Sequence, residues 1–414
     1  MGSVKKVLMI ANQFPPMGGA GVQRSVKFAK YLSRLGCEVM VISKDRSKGV
    51  LDDTLISDIP DDVKVERLKG VELENSEGFL KLFKKIWAKF SSPDAEALWA
   101  RDNRWDILEL AEQFEPDIVY TTSYPYSDHI VGRFLKKKHP EWKWVCDYRD
   151  EWTNNPFHRD SFFGRLKLRR ERHMELDINS SADFLIANTP RMLASFLRDI
   201  PSLITHSDFL PNGYDEEDFS GIDEKKDRDK RFILTHTGSL YGRRNLDEIL
   251  DAITLLDIEG KVSKDKFLLR IVGNVYESVI KEYSQKYGVY IERTGYVSHR
   301  ESIRYLFRSD VLLLLIGKGV GSGNFYTGKV FEYLRAKRPI LAIVPDGVAK
   351  DLINETRTGL CADPSDTPQI AEALERLYRL RNEFSPDFSE IKKYSREVQT
   401  EKLLSIFESI KGER

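Results

Sequence analysis

The chain has 414 residues and a mass of 47.9 kDa, too much for one ordinary core at roughly 100–200 residues per domain. Apolar residues make up 41% and charged residues 31%, which excludes a disordered chain. Lys plus Arg and Asp plus Glu balance at 65 each, without the basic excess of a dedicated nucleic-acid binder. Cys37, Cys146 and Cys361 lie too far apart for a C-x-x-C knuckle or a disulfide framework, which points to a reducing compartment. No stretch approaches the roughly 18 unbroken apolar residues of a spanning helix. Met1 to Lys6 leads into a short apolar run that reads as a first strand and not as a signal peptide. A cytoplasmic protein is expected, one not integral to a membrane.

Short apolar runs alternate with helical segments, the pattern of parallel α/β domains. Strands are predicted at Val7–Ala11, Glu38–Ser43, Val63–Leu68, Ile118–Thr121, Trp144–Asp147 and Phe184–Ala187, with helices at Val22–Leu35 and Leu166–Asn179. The latter is highly charged, with few apolar positions. A polar stretch, Gly221–Arg231, then marks a linker or loop near a domain junction. Beyond it, strands are predicted at Phe232–His236, Phe267–Val272, Val289–Thr294, Val311–Ile316 and Ile340–Val344. Helices follow at Leu246–Leu256, Val275–Tyr287, Arg300–Arg308, Gly328–Ala336 and Gln369–Leu380. The expected architecture is two Rossmann-like doubly wound domains facing a cleft, 1–210 and 211–388. A final helix follows, Ser389–Ile410 within 389–414, which can pack on either domain. Ligands of such sheets bind beyond the carboxyl ends of the strands.

Three post-strand segments carry chemistry. The first strand ends in a loop containing Gly18, Gly19 and Gly21, which lets backbone approach a ligand at a helix start, or simply connects strand to helix. Gly19-Ala-Gly21 begins a dinucleotide fingerprint, and Asp45 has a tolerable spacing for a ribose, but Arg24 stands where the third glycine belongs. The second segment, Thr235 to Asp247, holds Gly238, Ser239, Arg243 and Arg244. Two adjacent arginines there can neutralise a diphosphate, or be solvated surface groups. The third, Gly319 to Pro339, is a glycine-rich loop opening a helix. Lys329 and Glu332 share one face of that helix. A carboxylate so placed can accept both hydroxyls of a ribose, while the N–H groups of Thr327, Gly328 and Lys329 suit a phosphate.

Together these segments, with Asn212-Gly213, Gly295-Tyr-Val, Asp310-Val-Leu-Leu and the Phe331-Glu-Tyr-Leu…Pro339 helix, resemble a GT-B glycosyltransferase of family 4 over nearly the whole chain. Asp147 to Pro156 resembles a subgroup of that family. The resemblance implies a nucleotide-diphospho-sugar donor, an acceptor hydroxyl bound mainly by the first domain, and retention of anomeric configuration. Glu332 matches the second glutamate of the family's E-x7-E motif, which binds the donor ribose; the first falls at Asn324, which would touch the transferred sugar. The family's diphosphate-holding Arg and Lys fall near Ser239 and Arg244, with Arg243 or Lys329 able to supply the missing charge. Gly18 and Gly19 match the loop that approaches the donor phosphates. Arg149 and Asp150 stand where the family often has a histidine.

Breaking a sugar–phosphate bond puts negative charge on the leaving diphosphate, which a metal or fixed cations must stabilise. Arg243, Arg244 and Lys329 are the cations on offer. Asp227-Arg-Asp229 has D-x-D spacing but reads as solvated charge, so transfer without metal or other cofactor is expected. His129 follows a strand and can face the cleft or serve as a helix-start residue with a structural hydrogen bond. Asp150 can orient an acceptor hydroxyl or pair with Arg149. His299 reads as part of a helix opening capped by Ser298, with Glu301 in the capping-box position. Residues 78–90 form a basic amphipathic pattern, with Phe79, Phe83, Trp87 and Phe90 among lysines. It reads either as a core-facing helix or as a peripheral contact with the inner face of a membrane, near a saccharide or lipid-linked acceptor. The alternatives are a nucleotide-sugar epimerase of the same fold, a dinucleotide-dependent oxidoreductase, and a non-catalytic nucleotide- or carbohydrate-binding protein. No nucleic-acid partner is expected.

Overall fold

Runs such as Val7-Leu-Met-Ile and Val311-Leu-Leu-Leu-Leu are apolar at every position, as a parallel strand covered on both faces requires. The computed structural model describes residues 3–45, 52–70, 92–154, 162–225, 229–238, 240, 245–380 and 383–412. The chain divides into two units, Met1–Pro211 with Arg396–Arg414, and Asn212–Ser395.

In the first unit β1 (Lys6–Ile10), α1 (Ala20–Arg34), β2 (Glu38–Lys44), β3 (Lys64–Leu68), α2 (Ala97–Phe114), β4 (Ile118–Ser123), α3 (Ser127–Lys138), β5 (Lys143–Tyr148), α4 (Phe162–Ser181), β6 (Phe184–Ala187), α5 (Pro190–Asp199) and β7 (Ser207–Phe209) build a parallel sheet in the order β3-β2-β1-β4-β5-β6-β7. Side chains alternate across it. Val7 and Met9 pack with Val26 and Leu32 of α1, whereas Leu8 and Ile10 pack with Ile107 of α2 and Val131 of α3.

The second unit repeats the plan with β8 (Phe232–Thr237), α6 (Asp247–Ile258), β9 (Phe267–Val272), α7 (Glu277–Tyr287), β10 (Tyr290–Gly295), α8 (His299–Phe307), β11 (Val311–Leu315), α9 (Lys329–Ala336), β12 (Ile340–Ile343), α10 (Val348–Glu355), β13 (Gly359–Ala362), α11 (Thr367–Leu380) and α12 (Phe388–Lys392). Its sheet runs β10-β9-β8-β11-β12-β13. Leu313 packs with Ile253 of α6 and Leu374 of α11; Leu312 and Leu314 pack with Phe307 of α8 and Phe331 of α9.

The final helix differs from expectation. The predicted single helix Ser389–Ile410 is two: α12 in the second unit and α13 (Arg396–Gly412) in the first. Tyr394 and Ile391 are buried in the second unit's core, and Tyr214 N–H donates to Tyr394 O at 3.0 Å. Leu403 and Phe407 of α13 instead join Phe28 and Tyr120 in the first unit. Each segment satisfies a different core, so the helix breaks between them. Two strands, β7 and β13, were not predicted. Both are sheet edges, short and only partly buried, so neither needs a fully apolar run. The three cysteines are free, and among the described residues no helix is long and apolar enough to cross a membrane. The predicted helix over 78–90 lies outside the described residues.

Candidate functional site

In the second unit the strand order reverses between β8 and β11, and a ligand of such a sheet belongs at the carboxyl ends of these two strands. The sequence put its second and third segments there: Gly238 directly follows β8, and the loop to Gly328 follows β11 and opens α9. Gly238 has φ +105°, and its N–H donates to Val272 O at 2.6 Å. The Lys329 ammonium lies against its α-carbon, where a β-carbon would collide with it. Lysine in the first turn of a helix opposes the helix dipole. The arrangement is favourable once an anion is held by the ammonium and the helix start together.

One turn on, Glu332 is partly exposed, and a hydrogen bond of 2.8 Å joins its Oε1 to His299 Nε2. His299 opens α8, which Ser298 caps by accepting from Glu301 N–H at 3.3 Å, as expected. Its pairing with Glu332 was not read from the sequence; the signal available was its place just after Gly295-Tyr-Val. Tyr333 anchors α9 to the sheet, its hydroxyl accepting from Thr237 N–H at 2.8 Å. Burial pushes the Tyr333 phenol up to about 12. Thr327 Oγ1 is buried with no hydrogen-bond partner among the described residues, a polar atom at the helix start that a ligand oxygen would satisfy. Asn324 is half-buried and donates its N–H to Gly321 O at 3.0 Å; Gly328 is exposed. Ser239, Arg243, Arg244 and Asp227 lie outside the described residues. Asp229 is held by Arg231 at 2.8 Å.

In the first unit the reversal falls between β1 and β4. Gly18 is half-buried and Gly19 exposed in the loop after β1; Gly19 O accepts from Val22 N–H at 3.1 Å as α1 begins. Arg149 is buried, and its guanidinium donates to the carbonyls of Gly21, Ser123 and Tyr124. A β-carbon at Gly21 would strike that guanidinium. With Arg149 so committed, the Asp150 carboxylate is exposed, and no hydrogen bond holds it among the described residues. Partial desolvation raises its pKa, and Arg149 pulls it back down.

His129 is fully buried in α3, its Nδ1 2.8 Å from Thr121 Oγ1 and its ring against Tyr148. Burial depresses its pKa to about 3, so it is neutral. Of its two readings, the geometry matches the helix-start residue with a structural hydrogen bond, and the placement facing a cleft is corrected. Arg24 is also fully buried, paired with both carboxylate oxygens of Asp147 at 2.8 and 2.7 Å. Tyr120 and Thr122 hydroxyls donate to the same carboxylate at 2.6 and 3.0 Å, and Arg24 reaches the carbonyls of Leu210 and Pro211. Helix–sheet packing is therefore fixed by an ion pair where the dinucleotide fingerprint has a glycine, while Asp45 sits exposed just beyond β2. The sequence reading missed this network. Its one sign was a carboxylate, Asp147, directly after the apolar run Trp144-Val-Cys of β5.

Residues 218–397 match the family described as "Glycosyl transferases group 1". Among solved structures, the chain is similar to a glycosyltransferase from Rickettsia africae ESF-5, at 14% identity and TM-score 0.67, covering 99% of this chain and 100% of that one. It is similar to an alpha,alpha-trehalose-phosphate synthase (UDP-forming) from Burkholderia xenovorans at 13% identity and TM-score 0.64, covering 97% and 100%. A putative UDP-N-acetylglucosamine 2-epimerase from Listeria monocytogenes matches at 12% identity and TM-score 0.56, covering 98% and 96%. No curated protein matches the chain in sequence. The chain thus has the two-domain GT-B fold of these structures, and its residues 218–397 match the group 1 glycosyl transferase family.

Proposed function

We propose that the protein is a family 4 glycosyltransferase that moves a sugar from a nucleotide-diphospho-sugar to an acceptor hydroxyl, with retention and with fixed cations in place of a metal, in glycan or lipid-linked saccharide synthesis. The observation that carries this reading is Lys329 and Glu332 on one face of α9, the ammonium against Gly238 and the carboxylate held by His299. Glu332 binds the donor ribose. Lys329, with Arg243 and Arg244, stabilises the leaving diphosphate, whose charge is greatest in the transition state. Gly238, Ser239, Thr327 and Gly328 line the phosphates, Asn324 touches the transferred sugar, and Gly18 and Gly19 let backbone approach the donor. Asp150, exposed and held by no hydrogen bond among the described residues, orients the acceptor hydroxyl.

The Listeria structure keeps the epimerase alternative in view, since that fold also serves a nucleotide-sugar enzyme needing no acceptor. Incubating the protein with nucleotide-sugars, with and without a saccharide acceptor, separates the two. Transfer requires the acceptor and releases nucleoside diphosphate with it; isomerisation of donor alone would replace this reading.

A further inference from the structure

In the first unit, Thr153 and Asn154 beyond β5 and the first half of α4 line an open cleft of about 690 Å³. From residue 162 to 173, α4 carries five Lys or Arg against one acidic residue, Glu171. Three of its basic side chains, Arg165, Arg169 and His173, recur at every fourth position and line the cleft. Their spacing puts them on one helix face. Arg172 also lines it but is committed to Glu175 Oε2 at 3.1 Å and to Asp199. Arg169, in contrast, is exposed and has no ion-pair partner among the described residues. His173 is oriented by a 2.9 Å hydrogen bond from Nδ1 to the Arg169 carbonyl. The remaining lining from α4 is apolar: Leu166, 62% exposed, and the half-buried Leu168.

A purely anionic ligand explains the guanidinium groups but not the leucines; an apolar ligand explains the reverse. We propose that this cleft binds the head of an anionic amphiphile, a lipid phosphate or diphosphate ester. Its phosphate oxygens meet the Arg169 guanidinium in charge-assisted hydrogen bonds, with Arg165 adding positive charge one turn away. Its first hydrocarbon units lie on Leu166 and Leu168, and the exposed Asn154 provides a polar contact. That such a lipid is the sugar acceptor rests on the transferase reading; that it binds here does not.

The test is calorimetric titration of the full chain with farnesyl diphosphate, inorganic diphosphate and farnesol, in excess UDP and GDP to occupy a nucleotide site. Farnesyl diphosphate is expected to bind saturably, inorganic diphosphate at least tenfold more weakly, and farnesol not at all. Arg165→Glu with Arg169→Glu should weaken farnesyl diphosphate at least tenfold. Leu166→Ser should weaken it severalfold while leaving inorganic diphosphate unchanged. Thermal stability of each variant reports its folding, and Leu166→Ser decides the matter if the double variant is unfolded. The proposal is overturned if farnesyl diphosphate does not bind, if it binds the folded variants as tightly as the wild type, or if inorganic diphosphate binds equally well. Nucleotide binding measured separately, without lipid, judges the transferase reading alone.

Discussion

His299 Nε2 stands 2.8 Å from Glu332 Oε1, joining the first residue of α8 to the first turn of α9. The bond fixes one oxygen of the carboxylate assigned to the donor ribose. A hydrogen bond to a charged group is worth about 1.5–3 kcal/mol, so Glu332→Ala should raise the donor KM about 10–100-fold with a smaller effect on kcat. His299→Ala, which only frees the carboxylate to rotate, should raise KM severalfold at constant kcat. Steady-state kinetics against donor concentration checks both; an unchanged KM in Glu332→Ala would remove the ribose from this site.

Lys329 is expected to act on turnover. Loss of a group aimed at developing charge costs about 10²–10³ in kcat, and Lys329→Ala should fall in that range, further when combined with Arg244→Ala. Gly238→Ala should move kcat the same way, because the new methyl displaces the ammonium. It should also lower the melting temperature, since φ +105° suits glycine alone. Single-turnover rates and thermal melts read out the two effects; full turnover in the double variant would exclude the leaving-group role.

The Arg24–Asp147 pair is a stability element. Removing one partner from a buried pair leaves an uncompensated charge and costs about 3–5 kcal/mol. Arg24→Met should lower the unfolding free energy by that amount in urea titrations, and Arg24→Met with Asp147→Leu should recover part of it. A loss below about 1 kcal/mol in the single variant would show that the pair contributes little.

His129 gives the fold a pH dependence. Its folded pKa is depressed to about 3, against about 6.5 in an unfolded chain. The unfolded state therefore binds more protons between these values. The stability from neutral His129 is complete above pH 6.5 and declines as pH falls towards 3, by about 1.4 kcal/mol per unit. Urea unfolding at pH 7 and pH 5 should show this decline in the wild type and its absence in His129→Gln. Equal slopes would mean that His129 is protonated in the native state.

Much of the fold was legible because parallel strands covered on both faces leave unmistakable apolar runs. Phe184–Ala187 and Phe267–Val272 were predicted to the residue. The edge strands Ser207–Phe209 and Gly359–Ala362 were not, since a short, partly solvated edge needs no such run. The helix break at Tyr394 was hidden because both flanks carry apolar residues that bury, Ile391 on one side and Leu403 and Phe407 on the other, and only the three-dimensional structure separates their cores. At the candidate site, Lys329 and Glu332 were readable from helix spacing. His299 was not, because its partner is 33 residues away. Arg24 and Asp147, 123 residues apart, pair only through the sheet. His129 was read two ways, since sequence fixes its place after a strand but not the burial that neutralises it.

The most direct test is a crystal structure of the full chain with UDP or GDP bound. The ribose hydroxyls are expected on Glu332, and the diphosphate beside Lys329 at the start of α9 and the Gly238 loop. A nucleotide seated in the first unit, or anywhere that leaves Glu332 and Lys329 untouched, would contradict the assignment.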